Sequence, residues 1–394
     1  MIKKVITLFL TCLVAPFFIH SAGADIPIIK IEGIVNPVMS EFISKSIDDA
    51  VAEDSEVLVI ELDTPGGLDT SMRSIVKKIN SSAAPVAVYV SPGGARAASA
   101  GVFITMAAHI AAMAPGTNIG AAHPVGLGGN MDETMTEKAV NDASAYIKSI
   151  AEQRGRNAEW AEKAVRESVS ITETEALKQN VIDIIAQDTN SLLEKIDKKT
   201  VDTSIGKRII KTAGINIVYK NLSFRHKVLN IISNPNVAYL LMLLGFYGIF
   251  FELTNPGTIF PGVIGAISLI LAFYSFQTLP VNYAGLLLIL LAIVLFILEI
   301  KVTSYGLLSI GGIVSMSIGS IMLIDSPLPF LRISYAVIIP SIIFTVLLFI
   351  ITISLVVKAH RKKPETGMEE LIGMEGEART NIHNKGQAFV HGEI

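Results

Sequence analysis

The chain has 394 residues, of which 51% are hydrophobic and only 17% charged, and its mean hydropathy is +0.54. This is too apolar and too poor in charge for an ordinary soluble protein of its length, so part of it belongs in a membrane. A formal net charge of -3, with no Lys/Arg tract interleaved with aromatic residues, argues against nucleic acid as a partner.

The N-terminus, "MIKKVITLFLTCLVAPFFIHSAGADIP", carries Lys3 and Lys4, an apolar run to Ile19 and the small-x-small triplet Ala22-Gly23-Ala24. That order predicts a signal peptide over 1–24, cleaved before Asp25, with an uncleaved anchor helix as the alternative. Cys12, the only cysteine, lies inside this segment. The mature chain is therefore expected to lack a thiol nucleophile, a disulfide and a thiolate metal site.

Residues 25–230 hold most of the charge. Short β-branched runs ("IPIIKIEGIV", "EVLVIELDTP", "PVAVYV", "AAMAP") alternate with helical patterns ("SEFISKSIDDAVAE", "TSMRSIVKKINSS"). Strands alternating with helices predict an α/β domain with a buried parallel sheet.

Two glycine turns follow strands, where open α/β sheets place their sites. In "IELDTPGG" the strand breaks into Pro65-Gly66-Gly67, which could turn backbone N–H groups toward a bound carbonyl or simply lead into a helix. In "SPGGARAASAGVFI" Gly and Ala crowd around Ser99. If Ser99 opens a helix, its Oγ lies beside free N–H groups and the positive end of the helix dipole, and a plain N-cap role fits equally. Small neighbours have a reason under the catalytic reading, because a substrate backbone must approach within bonding distance.

"VGLGGNMDETM", Val125 to Met135, reads as a lid or as a surface loop. His109, Tyr146 and Trp160 read as packing residues. No His/Asp/Glu cluster has metal-ligand spacing, and neither metal nor cofactor is expected.

From about Asn236 onward come five apolar runs, at about 236–254, 258–276, 281–300, 305–324 and 334–357, each long enough to span ~30 Å of hydrocarbon. An exported first domain and an odd number of spans put the C-terminus in the cytoplasm, where the basic "KAHRKK" is expected. "FFELTNPGTIFPGVIGA" and "FILEIKVTSYGLLSIGG" repeat one pattern, a helix ending on Glu252 or Glu299 and reaching Gly265 or Gly312 at the same offset. Each unit predicts a helical hairpin. The two carboxylates mark either a functional groove or a membrane–water interface.

"DTPGG", "GARAASAGVFI", "APGTNIGAAHPV", "KAVNDASAYIKSIAEQRGRN", "SVSITETEAL", "LGFYGIFFELTNPGTIFPGVIGA" and "GMEGEART" together resemble the membrane-bound serine proteases of the NfeD family, a branch of the ClpP class. The resemblance covers nearly the whole mature chain. It implies a ClpP/crotonase-like α/β exported domain at 25–230, an all-α membrane region at 231–358 and the start of an OB-like β domain at 359–394. That last segment supplies only about two of the family's five strands, so a closed barrel is not expected from it.

The resemblance also implies an endopeptidase of the cytoplasmic membrane, acting outside the cytoplasm on apolar segments of a stomatin-like partner and working as a homodimer or larger oligomer. Ser99 would be the nucleophile, Lys138 the base, and the N–H groups of Gly67 and Ala100, with Gly66 as a further candidate, the oxyanion donors. His123 in "AAHPV" stands where ClpP has its catalytic histidine and is the rival base. Its reference pKa of ~6.5 suits neutral pH, whereas a lysine near ~10.4 must be desolvated, and Asp142, one turn from Lys138, would oppose that. The contrasting expectation is a non-catalytic membrane scaffold that organises stomatin-like proteins.

Overall fold

The computed structural model describes residues 25–126, 132–254, 257, 259–302, 306–326, 328–361, 373–381 and 386–390. The expected signal peptide lies outside these residues, as does the middle of the 125–135 loop.

The first elements are β1 (Ile26–Glu32), α1 (Pro37–Ala52), β2 (Leu58–Asp63), α2 (Asp69–Asn80), β3 (Val86–Val90), β4 (Arg96–Ala98), α3 (Ala100–Ala107), β5 (Ile110–Met113) and β6 (Asn118–Gly120). They continue as α4 (Glu133–Gln153), α5 (Ala158–Arg166), β7 (Ser170–Thr172), α6 (Glu173–Lys178), β8 (Ile184–Ile185), α7 (Thr189–Ile196), β9 (Thr200–Thr203), β10 (Gly206–Ile209), β11 (Ile217–Tyr219) and α8 (Phe224–Ile232). Helix starts are capped as the residue types dictate: Asn36 accepts from the Met39 N–H at 2.9 Å with Pro37 at the first helical position, and Asp132 accepts from Met135 at 2.7 Å.

Six strands form one parallel sheet in the order β11-β1-β2-β3-β5-β8. All five residues of β3 are buried, because helices cover both faces of a parallel sheet. One core gathers Ile43, Ile60, Val88, Ile104 and Ile147, and the other gathers Ile28, Val59, Tyr89, Ile110 and Leu192. A smaller sheet, β4-β6-β7, stands beside the first, with Ala98 paired to Gly120. A single bridge from Val35 to Gly67 ties the first glycine turn to the segment after β1, and one from Thr64 to Ala97 ties it to β4 just before Ser99.

Five apolar helices follow: α9 (Pro235–Thr254), α10 (Ile259–Phe276), α11 (Tyr283–Lys301), α12 (Leu307–Met322) and α13 (Tyr335–Arg361). The apolar stretches Pro235–Leu253 and Ile259–Phe276 are 19 and 18 residues long, enough to cross a membrane, and those of the other three are shorter. The repeat is visible as close contact. A Cβ on Gly248 would lie 2.7 Å from the Gly265 Cα, and one on Gly319 would lie 2.8 Å from the Gly285 carbonyl oxygen, so α9 meets α10, and α11 meets α12, backbone to backbone. Among the described residues near the C-terminus, β12 (Glu377–Ala378) and β13 (Ala388–Phe389) pair antiparallel.

The chain packs as two compact units, one running up to Pro280 and taking in Ser326–Arg332, the other made of Val281–Asp325 and Ile333–Ile394. This division differs from the compositional break near Pro235 for a physical reason. Helix α8 joins the α/β domain through Asn36 to Asn230 at 2.9 Å, Glu41 to Arg225 at 3.1 Å and Phe42 against His226 at 6.0 Å, and α9 follows it directly.

Candidate active site

Ser99 is the N-cap of α3 and has φ +53° and ψ -113°, a conformation that costs a residue with a Cβ and persists only where the surroundings enforce it. The enforcement is visible. The Ser99 N–H donates to the Gly120 carbonyl at 3.2 Å, its own carbonyl accepts from Val102 at 3.0 Å, and the Ala98 N–H donates to Thr64 at 3.1 Å. Its hydroxyl makes no capping bond, so the plain N-cap role is not the one this serine plays.

The glycines around it are required by contact distances. A Cβ on Gly67 would lie 2.2 Å from the Val35 carbonyl oxygen, and one on Gly101 would lie 2.7 Å from Thr64 Cγ2. Gly66, at φ +126°, passes directly beneath the serine. One expected role changes here. The Gly66 N–H donates to Thr64 Oγ1 at 3.0 Å, so it is not free to hold an oxyanion. The Gly67 N–H has no acceptor among the described residues, and the Ala100 N–H, first in its helix, has none within that helix.

A cavity of about 130 Å³ opens over Ser99, between Met72 and Asp69 of α2, Phe103 of α3, Ala143 of α4, and Ala122, Pro124, Val125 and Leu328. Its lining is mostly apolar. Phe103 is held by a stacked Tyr146 at 6.0 Å, and Arg73 lies 4.4 Å over the other ring, which makes Tyr146 the packing residue expected.

The two candidate bases are placed differently. Ala122 and Pro124 line the cavity, but His123 between them does not; its Nδ1 lies 2.9 Å from the Val165 carbonyl. A carbonyl only accepts, so Nδ1 carries the proton and the ring is anchored toward α5. Lys138 is exposed on α4, five positions before the cavity-lining Ala143, and among the described residues no hydrogen bond joins it to Ser99. Asp142, which would have opposed a neutral lysine, is paired with Arg73, itself 2.9 Å from Asp69.

Sequence reasoning missed two arginines. Arg154 donates to the Ala107 carbonyl at 2.8 Å, and Arg156 donates to Met106 at 2.6 Å and Ala108 at 2.9 Å, with Asp183 at 2.6 Å as its counter-ion. Together they satisfy the carbonyl end of the helix that carries Ser99 at its other end and complement its dipole there. The signal was the pair in "QRGRN", two cations close to a helix end. Burial beside Arg156 lowers the Arg154 pKa to about 10. The same burial, reinforced by both arginines, lowers His109 to about 3, so this histidine is a neutral core residue. Trp160 is buried in the core as well.

Among the described residues no group of acidic, histidine or cysteine side chains could hold a metal. The description "NfeD1b, N-terminal domain" matches residues 25–202, and "NfeD integral membrane domain" matches 236–354. A membrane-bound protease of Pyrococcus horikoshii is 36% identical over 382 residues, 93% of this chain and 85% of the relative. The chain belongs to the NfeD family.

Membrane protein NfeD1b of Bacillus subtilis is 29% identical over 294 residues, 73% of this chain and 65% of that protein. A solved domain described as a membrane-bound stomatin-specific protease, a lysine-to-alanine mutant in complex with a substrate peptide, is 35% identical and covers 54% of this chain and 98% of its own, with a TM-score of 0.50. This NfeD chain is therefore a membrane-bound serine protease with a parallel-sheet α/β domain followed by the NfeD membrane domain.

Proposed function

We propose that Ser99 and Lys138 form a catalytic dyad that cleaves apolar segments of a stomatin-like membrane protein. The observation that carries this is the serine itself: Ser99 has a strained backbone, its hydroxyl makes no capping bond, and it lines a mostly apolar cavity together with Gly67 and Ala100. Ser99 Oγ attacks the scissile carbonyl while Lys138 takes its proton, and the Gly67 and Ala100 amides hold the oxyanion. Collapse expels the amine, which receives the proton back, and water then hydrolyses the acyl-enzyme.

Lysine is favoured over histidine because His123 does not line the cavity at Ser99 and because a lysine was the residue replaced in the relative captured with a substrate peptide. The exposed position of Lys138 is compatible with this role, since catalytic hydrogen bonds commonly tighten only when substrate arrives. Bound substrate covering the ammonium would also supply the desolvation that a neutral lysine needs. In this reading 1–24 directs export, 25–230 lies outside the cytoplasm, the five apolar helices cross the membrane, and the domains assemble as at least a dimer.

The test is labelling of the full chain in detergent with a fluorophosphonate. Ser99→Ala should abolish labelling, Lys138→Ala should slow it on the order of 100-fold or more, and His123→Ala should leave it within a few-fold. A dead His123→Ala beside an active Lys138→Ala would overturn the dyad.

A further inference from the structure

Leu328 is far from the α/β domain in sequence, in the turn between α12 and α13, yet it lines the cavity over Ser99 together with Met72, Phe103 and Ala143. Its placement is consistent with the packing of the chain: Ser326–Arg332 belongs to the first compact unit, although the helices on both sides of it belong to the second. The chain order allows this return. Four apolar helices, an even number, separate α8 from Ser326, so a chain that crosses with each of them comes back to the face it left.

The turn is built to hold one side chain in place. The Leu328 N–H donates to Ser326 Oγ at 3.2 Å, the Leu328 carbonyl accepts from Leu331 at 3.0 Å, and Arg332 closes the loop by donating to the Ser326 carbonyl. Ser326 and Leu331 are buried, anchoring both ends, while Leu328 between them stays half-buried at the cavity. A cavity of about 130 Å³ is close to the ~150 Å³ apolar space known to accept a benzene ring, so it suits one apolar side chain.

From this geometry we infer that Leu328 is a specificity-determining residue of the Ser99 site, a wall of the pocket that receives the substrate side chain next to the cleaved bond, supplied by the membrane region and not by the α/β domain. The inference rests on the proteolytic reading above. It implies that the α/β domain alone presents a wider, less selective pocket than the whole chain.

The experiment uses the full chain in lipid nanodiscs and peptidyl diphenyl phosphonates that differ only in the residue carrying the phosphorus: Ala, Leu or Phe. Diisopropyl fluorophosphate serves as a probe of Ser99 reactivity that does not fill the pocket. Leu328→Ala should raise the Phe-to-Ala ratio of labelling rates about tenfold, the scale set by a few methylenes in an apolar pocket, and Leu328→Trp should lower it by a similar factor. Diisopropyl fluorophosphate should label all three proteins within about twofold, well inside that range.

An unchanged ratio in both variants overturns the inference. So does an equal change with every probe, including the small one, because that would make the turn a general support and not a pocket wall. If the native chain takes no label at Ser99 from any probe, the proteolytic reading fails and the inference with it; failure on a labelled native chain removes the inference alone.

Discussion

A Cβ built on Gly66 would lie 2.8 Å from the Cβ of Ser99 and 3.2 Å from its Oγ. The stripped composition around the serine is therefore a packing requirement: the first glycine turn passes so close to Ser99 that a methyl group would push it aside. Gly66→Ala should lower the rate of fluorophosphonate labelling at Ser99 on the order of 100-fold, the usual penalty for a displacement of about 1 Å at a reacting centre. The φ of +126° adds backbone strain to the same substitution. Labelling at the native rate would show that the close approach does not position the serine.

The carbonyl end of α3 supports the same residue from the other side. Arg156, whose side chain is 2% exposed, meets the Met106 and Ala108 carbonyls and Asp183. Arg156→Leu strands these acceptors in the interior, and the expected loss is about 3–5 kcal/mol. The measurement is denaturant or thermal unfolding of the detergent-solubilised chain. Asp183 keeps its bond from the Ala111 N–H at 2.8 Å, so β5 should survive the change, and the loss should centre on α3 and the serine.

The legible parts of this chain were those decided locally. "PVAVYV" reads as a strand of a buried parallel sheet, and the Gly/Ala crowding in "GARAASAG" makes Ser99 a candidate for a helix start. Features decided by partners distant in the chain were not legible. Whether Gly66 could donate to an oxyanion depended on where the Thr64 hydroxyl turned, and the direction of His123 depended on a carbonyl at Val165. Nothing in "QRGRN" connects its two arginines to the carbonyl end of α3, and nothing in "SPLPFLR" connects it to a serine four apolar helices earlier.

His109 should make the α/β domain sensitive to acid. Burial holds its folded pKa at about 3, below the usual 6.5, so between these values the unfolded chain binds a proton that the folded chain refuses. Stability is fully present above about pH 6.5 and falls as pH drops toward 3, by about 2 kcal/mol between pH 6.5 and 5. His109→Gln, whose carbonyl oxygen can still accept from the Val86 N–H, should flatten that part of the pH–stability curve, measured as unfolding midpoints across pH 5 to 7. An unchanged slope would mean that another group governs the acid response.

The final prediction separates the two readings of the repeated glutamates. Glu299 ends its helix by accepting from the Gly306 N–H through Oε1 and from the Ser309 N–H through Oε2, both at 2.9 Å. These are donors at the start of α12, so the carboxylate joins α11 to α12 across their turn and complements the positive end of the α12 dipole. Its predicted counterpart, Glu252, lies against Gly262 at the start of α10, where a Cβ would come 3.0 Å from its Oε2. Glu299→Gln keeps the shape but offers one acceptor where there were two, and it turns an NH₂ donor toward an N–H donor. If the carboxylate is a structural clasp, this variant should lower the thermal stability of the detergent-solubilised chain by about 1–3 kcal/mol, the cost of an unmade buried hydrogen bond. Restoring both acceptors is impossible for any neutral side chain, so Glu299→Ala should cost at least as much. If Glu299 instead lines a functional groove, both variants should keep native stability and change only the handling of a membrane substrate, and the clasp assignment would be wrong.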